Sequence, residues 1–393
     1  MALPDADAKA LIQAGVLALR SGDAMAARRA FERVVAAGRA DVAVLLSLAH
    51  ACGASGDTAA ALAAVDAALA REPRNLRALM MKADHLASTG QGPAAAAYYQ
   101  AVVKAGAAAS QLPADLRQAV TRAQAQCERY AKEFEGHLQA RLGEVAAAQG
   151  AASARFSQSM DLLFGKKQVY MQQPRLYYFP ELPQIQFYPR DTFSWMSGVE
   201  AATADIRDEL LAVLNEPSAF EPYVQGSPNR PAGAQGGMLN NPDWSAYYLW
   251  QNGAPVAEHA ARCPRTMRAL ADVPLARVPG RSPSVLFSLL RPGARIPPHH
   301  GFVNTRLICH LPLIVPPGCG FRVGNETREW VEGQAWAFDD TIEHEAWNTS
   351  EQTRVILLFE VWRPELSEAE RALVSAMFEA IDQHRGGSGE WSI

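Results

Sequence analysis

The sequence predicts an α+β multidomain chain, with an N-terminal α-solenoid followed by a closed or double-sheet β domain. Three observations carry that prediction. A motif returns every 34 residues near the start, prolines and aromatics crowd together between 170 and 189, and short β-branched runs separated by turn signals fill the chain beyond 240. With 393 residues there is chain enough for two or three hydrophobic cores.

The repeat comes first. Ser21-Gly22-Asp23 returns as Ser55-Gly56-Asp57 and again as Thr89-Gly90-Gln91, each step 34 residues. Phe31, Val65 and Tyr99 keep the same step, as do Ala27, Ala61 and Ala95, and Val34, Ala68 and Val102. A helix–turn–helix unit of this length is the tetratricopeptide repeat. Glycine relieves the tight turn, small alanines let paired helices approach, and the aromatic or valine fills the space between pairs. The solenoid is expected over 1–110. Such a solenoid presents a concave surface for a peptide or protein; the competing reading is that it packs internally or dimerises.

Residues 111–180 are expected as a helical cap and linker. The run PADLRQAVTRAQAQCERYAKEFEGHLQARLGEV has few breakers and a charged face, and its heptads are too irregular for a coiled coil. From Tyr170 to Pro189 prolines stop helices and favour extended chain. The β domain is expected over 181–393. It begins with an amphipathic helix over Thr192–Leu214 and a strand over Asp243–Gly253 that ends in an Asn-Gly turn. Strands follow at Ser284–Arg291, Thr305–Val315, Cys319–Val323, Ala335–Phe338 and Arg354–Trp362. A last helix starts at Ser367 with the capping box SEAE, and a GGSG tail is expected to fray after it.

Composition narrows the function. The net charge of −4 without a basic tract argues against a broad nucleic-acid footprint. No apolar run is long enough to span a bilayer, and the start has no charged segment leading into an apolar one. A soluble cytoplasmic protein is the expectation. Cys52, Cys127, Cys263, Cys309 and Cys319 are scattered and form no CxxC pair, which fits reduced thiols better than a disulfide framework or zinc cluster.

The chemistry concentrates between Ser288 and Arg354. His299 and His344 are spaced like ligands on neighbouring strands of a barrel, and imidazoles suit iron(II). The usual His-x-Asp partner is missing, because Gly301 stands two residues after His299. Arg354 leads into VILLF, where a buried arginine demands an anion. Taken singly, these residues have bland readings. His310 is a core histidine, His300 a rim residue, Arg354 a surface ion-pair partner, and Asp339-Asp340 a turn at a strand end.

Residues 187–366 resemble the aspartyl/asparaginyl β-hydroxylase family. The words PHHGFVNTRLICHLPLIVP, GNETREWVEGQAWAFDDTIEHEAWN and RVILLFEVWRPELS carry the resemblance, and QFYPRDTFSW at 186–195 looks like the segment that opens the family's catalytic domain. The resemblance implies a double-stranded β-helix (jelly-roll, cupin-like) fold that uses Fe(II), 2-oxoglutarate and O2, with tetratricopeptide repeats allowed ahead of it. It implies His299 and His344 as the catalytic iron ligands, with no carboxylate. It implies Ser288 and Arg354 at the distal carboxylate of 2-oxoglutarate, His310 at the inner one, and Asp340 as a second-sphere acid. The chain departs from the family at Ile308, where an arginine helps hold the inner carboxylate. Arg306, on the same strand face, is the candidate to compensate.

The expected activity is hydroxylation of an unactivated carbon, the β-carbon of an Asp or Asn in a peptide or protein delivered by the repeats. Alternatives are a lipid acyl chain or a free amino acid as substrate, a cupin-like enzyme with another metal, or a non-enzymatic repeat scaffold whose β-barrel binds a small acid.

Overall fold

The 34-residue period folds into three helix pairs. The computed structural model describes residues 4–149, 154–216, 219–226 and 237–385, so the GGSG tail lies outside the described residues. The chain divides into two units, 1–164 and 165–393. In the first unit, α1 (Asp5–Arg20) pairs with α2 (Ala24–Ala36), α3 (Val42–Ala54) with α4 (Thr58–Arg71), and α5 (Leu76–Ser88) with α6 (Gly92–Ala107). α7 (Ala114–Gln149) packs on α6, and α8 (Ala154–Leu163) follows.

The repeated turns have one geometry. Gly22, Gly56 and Gly90 adopt φ of 83°, 84° and 75°, the left-handed region that glycine enters without steric cost. Asp23 and Asp57 then cap the following helices by accepting from the amides of Ala26 and Ala60, both at 2.9 Å. Gln91, at the third equivalent position, makes no such cap. Phe31, Val65 and Tyr99 are all buried, and Ala27 and Ala95 are fully covered. Tyr99 buries its ring, and its hydroxyl donates to the partly exposed Asp84 at 2.8 Å.

The second unit begins with 165–189 as irregular chain interrupted by turns, with a 3-10 turn at Arg190–Thr192. The expected helix over Thr192–Leu214 is two helices, α9 (Met196–Ala201) and α10 (Thr203–Leu214). Thr203 Oγ1 donates to Glu200 O at 2.5 Å, and Ala202 leaves helical geometry at φ −85°, ψ 4°. The bend lets Val199 on one piece and Ile206, Leu210 and Val213 on the other bury in one core.

The strands are β1 (Glu221–Pro222), β2 (Trp244–Gln251), β3 (Ala254–Pro255), β4 (Val285–Leu290), β5 (Arg295–His299), β6 (Arg306–Ile314), β7 (Cys319–Val323), β8 (Glu326–Arg328), β9 (Trp336–Phe338), β10 (His344–Asn348) and β11 (Arg354–Trp362). Short helices α11 (Ala257–Arg262) and α12 (Pro264–Ala269) follow β3, and α13 (Glu368–Arg385) closes the described chain. Ser367 and Glu370 form the expected capping box, with Glu370 N donating to Ser367 Oγ and Ser367 N to Glu370 Oε2.

Two antiparallel sheets form a double-stranded β-helix. The larger runs β1-β2-β4-β11-β6-β9 with β3 on β2, and the smaller runs β5-β10-β7-β8. Alternation along the large sheet decides what each face does. Val285, Phe287, Leu307, Cys309, Leu357 and Phe359 face a core shared with α9 and α10. Leu286, Ser288, Ile308, His310, Arg354 and Leu358 face the other way, and all but Leu286 line a cavity.

β5 and β10 were not among the expected strands. The prolines at 297 and 298 hide β5, which is tolerated because it is the edge of the small sheet. Among the described residues no helix is long and apolar enough to cross a membrane.

Truncation tests the repeat core. Phe31→Ala is expected to cost about 3–5 kcal/mol, read as an earlier urea midpoint in the helical circular-dichroism transition. Exposed Leu17→Ala is expected to leave that midpoint unchanged.

Candidate active site

Pairing of β5 with β10 places His299 directly opposite His344, with ring centroids 4.1 Å apart. Between His344 and Ala346 the pairing shifts by one residue, since Ile296 opposes Ala346. The extra residue falls at Pro297-Pro298, where no amides are available for the ladder. His299 Nδ1 lies 2.8 Å from Pro297 O, and His344 Nδ1 lies 3.1 Å from Ile342 O. A carbonyl can only accept, so each Nδ1 carries the proton and Nε2 keeps its lone pair for a ligand. Burial lowers the pKa of both rings, and the mutual repulsion of the pair lowers that of His344 further. Both are therefore neutral imidazoles, the form that binds metal.

A cavity of about 240 Å³ opens on these rings and runs inward past His310 to Ser288 and Arg354. Arg354 is 1% exposed. Its guanidinium lies 4.8 Å from the centre of the Trp330 ring, and Nη1 makes only a long 3.4 Å contact to Ser288 O. Nε has no partner, and among the described residues no carboxylate lies within 4 Å. Burial pushes its pKa down to about 10. An uncompensated buried cation is costly, and an anion in the cavity removes the cost.

The neighbours suit such an anion. Ser288 Oγ accepts from Trp244 Nε1 at 3.2 Å, which leaves its own hydrogen to donate. His310 Nδ1 also lacks a partner, and burial followed by the Arg354 charge holds its pKa well below the usual range.

Asp340 and Gly301 explain each other. A Cβ at position 301 would lie 2.0 Å from Asp340 Oδ2 and 2.6 Å from Oδ1. The carboxylate of Asp340 thus fills the space where a side chain after His299 would begin. Its Oδ1 has no hydrogen-bond partner, and burial raises its pKa to about 6 against the opposing pull of Arg306.

Arg306 departs from the expectation that it would substitute for an arginine at Ile308. Its Nη1 donates to Asp340 Oδ2 at 3.0 Å, and its Nε lies 3.3 Å from Glu360 Oε1. Two carboxylates already surround this guanidinium, so its charge is engaged inside the wall rather than available to a ligand. Ile308 lines the cavity with an apolar surface. His300, beside His299, is half-buried and also lines the cavity.

Asp339 and Asp340 are adjacent and do different things. Asp339 is fully buried and accepts from Arg363 Nη1 at 2.8 Å, Gln172 Nε2 at 2.6 Å, and both the amide and hydroxyl of Thr341. That network anchors the turn from which Asp340 reaches the cavity. Sequence reasoning passed over Trp244, Trp330, Tyr223 and Arg175, all of which line the cavity. Trp244 lay in a strand that was expected, and a buried indole needing a hydrogen-bond partner was the available signal.

Among the described residues, eleven strands in two sheets, with paired imidazoles and an unpaired buried arginine lining one cavity, give the second unit a cupin-like jelly-roll fold. Residues 200–364 match the family model described as aspartyl/asparaginyl beta-hydroxylase, and residues 46–110 match that of the tetratricopeptide repeat. The second unit is thus similar to the aspartyl/asparaginyl β-hydroxylase family over residues 200–364, with the tetratricopeptide match ahead of it.

Relatives include the human aspartyl/asparaginyl beta-hydroxylase, 34% identical over 44% of this chain and 21% of that protein. Aspartate beta-hydroxylase domain-containing protein 2 of Xenopus tropicalis is 30% identical over 53% of this chain and 55% of its own length. The ornithine lipid ester-linked acyl 2-hydroxylase of Rhizobium tropici is 32% identical over 49% of this chain and 65% of its own. The chain spans about half or less of the length of the first two.

Two outcomes follow from the site. Gly301→Ala is expected to displace Asp340 and weaken its pairing with Arg306, which a crystal structure of the variant would show. The folded pKa of Asp340 is raised from 3.8 to about 6, so the folded state holds the proton more tightly than the unfolded chain. Its contribution favours folding below pH 4 and is lost as pH rises toward about 6. Asp340→Asn is expected to flatten that segment of the urea-stability profile against pH.

Proposed function

We propose that this chain is an Fe(II)- and 2-oxoglutarate-dependent dioxygenase that hydroxylates an unactivated carbon. The observation that carries the reading is the joint one: two neutral histidines with tethered Nδ1 atoms share a cavity with a buried arginine that has no anion. The donor set fits divalent iron. Two imidazoles leave several coordination positions for an oxo-acid and O2, and Asp340 stands near the place of the missing carboxylate ligand without joining a protein-only cluster.

His299 and His344 would hold the metal through Nε2. Arg354 would clamp the distal carboxylate of 2-oxoglutarate with its planar fork, and Ser288 would donate its hydroxyl hydrogen to the same group. Neutral His310 would donate to the inner carboxylate, assisted by no second arginine. The bound metal, oxo-acid and O2 together supply the oxidising chemistry. The chain itself positions the target carbon and keeps water out. Phe321, Trp330, Phe338 and Ile308 make an apolar wall around the anion site, which strengthens each charge interaction inside it.

For the substrate, the β-carbon of an Asp or Asn in a peptide or protein is the preferred reading, with the repeat unit delivering the chain. The family supports this, and the tetratricopeptide match adds a surface of the kind that binds peptides. An acyl chain is the second reading. It is favoured by the apolar lining of the cavity, which includes Val224, Met238, Pro297 and Phe302, and by the likeness to an acyl 2-hydroxylase. A cytoplasmic location accompanies both.

Anaerobic titration of the metal-free protein with Fe(II) and 2-oxoglutarate tests the core of the proposal. A visible metal-to-ligand charge-transfer band is expected for the wild type and not for His344→Ala. Arg354→Leu is expected to keep the iron and raise the 2-oxoglutarate concentration needed by roughly 10- to 100-fold, the scale of a lost charge-assisted hydrogen-bond pair. Bound iron with no band in the wild type would assign the site to another oxo-acid or another cupin chemistry. A variant lacking the repeats is expected to lose efficiency on a protein substrate while retaining the band.

A further inference from the structure

Three arginines line the cavity, and they are in three different states. Arg354 lies buried at the inner end, where the proposed oxo-acid would take it. Arg306 is enclosed by Asp340 and Glu360. Arg175 stands at the mouth, exposed to solvent, and among the described residues no carboxylate lies within 4 Å of it.

The backbone holds Arg175 where it is. Its amide donates to Gly301 O at 3.0 Å, and Gln173 N donates to Thr341 O at 2.7 Å. Leu176 and Tyr177 both donate to Phe302 O, and Phe179 N donates to Asn304 Oδ1 at 2.7 Å. Residues 173–179 are therefore a strap laced across the segments that follow His299 and precede His344. The guanidinium lies 5.9 Å from the centre of the Phe302 ring, a cavity-lining residue. Around it the partly exposed lining is apolar, with Pro297, Pro298, Phe302 and Met238, and imidazole from His300.

The lacing fixes the backbone from which the exposed guanidinium projects, so a cation is carried at the edge of a cavity whose other two arginines are already matched or assigned. We propose that Arg175 is a specificity-determining residue, selecting a substrate that carries a carboxylate or similar anionic group beside the carbon to be oxidised. The proposal rests on the oxygenase reading above. It adds that the rim reads charge and that an extended strap preceding the β-sheets, rather than a strand, supplies the reader. A planar guanidinium over an aromatic ring retains both edges for a bidentate anion.

The test uses the full chain saturated with Zn(II) and 2-oxoglutarate, so that Arg354 is occupied and no turnover occurs. Quenching of tryptophan fluorescence, with Trp244 and Trp330 in the cavity wall, reports binding of two matched probe pairs. One pair is the N-methylamides of N-acetyl-aspartate and N-acetyl-asparagine, and the other is octanoate and octanamide. The wild type is expected to prefer the anionic member of one pair by about tenfold, the scale of a charge-assisted hydrogen bond. Arg175→Gln is expected to bring that preference within about twofold while 2-oxoglutarate binding stays unchanged. Arg175→Lys is expected to keep part of it.

The pair that shows the preference tells whether the anion belongs to an aspartyl side chain or to an acyl chain. No charge preference in either pair, or a preference that survives in Arg175→Gln, would overturn the proposal while 2-oxoglutarate binding leaves the oxygenase reading standing. Failure to bind 2-oxoglutarate at all would instead remove the oxygenase reading.

Discussion

The antiparallel pairing of β5 with β10 is the constraint on which the site depends. It sets His299 opposite His344 in register, and side chains alternate across a strand with period two. A slip of one residue would send one imidazole to the opposite face and dissolve the pair. The outer face guards against the slip. Glu345, next to His344, is gripped by Arg295 from β5 and by Arg322 from β7, so three of the four strands of the small sheet are tied by one carboxylate. The one-residue shift at Pro297-Pro298 then aims His299 inward at the edge of the sheet.

Charge is distributed around the cavity by the same logic. Asp339 is spent wholly on structure, with Arg363, Gln172 and Thr341 around it, while Asp340 turns toward the cavity and keeps one oxygen free. Arg306 balances Asp340 and Glu360 inside the wall. Arg354, on a strand of the same sheet, has no such partner. The protein thus bears the cost of one buried cation where a ligand can offset it and neutralises the other buried charges internally. Gly301 belongs to this arrangement. Any side chain there would collide with Asp340, so the glycine and the carboxylate share one space.

The helical unit is built on a different economy. Each repeat spends a left-handed glycine on its turn, and two of the three follow it with an aspartate cap. Large residues at one repeat position and alanines at another then fill and close the space between pairs. Neighbour-to-neighbour packing of this kind lets the unit extend by repetition.

The period of 34, the turn glycines and the residues at Phe31, Val65 and Tyr99 were legible because they follow from local steric demands repeated at fixed spacing. Strands such as β6 and β11 were legible as short apolar runs with β-branched residues, set off by turn signals. The two histidines, Ser288, His310 and Arg354 were singled out together through the words around them, and the fold brings all five to one cavity. What the sequence by itself determined is therefore the inventory of elements and the residue types brought to them. Tertiary structure alone decided the division of Thr192–Leu214 into two helices, the strand formed across two prolines, and the partners of each arginine. Helix breaks, edge strands and ion pairs depend on which distant groups arrive nearby: Arg306 meets Asp340 and Glu360, Arg354 meets none, and Arg175 reaches the cavity mouth on a strap far away in sequence. No local pattern distinguishes those three arginines, because a buried charge is defined by what surrounds it.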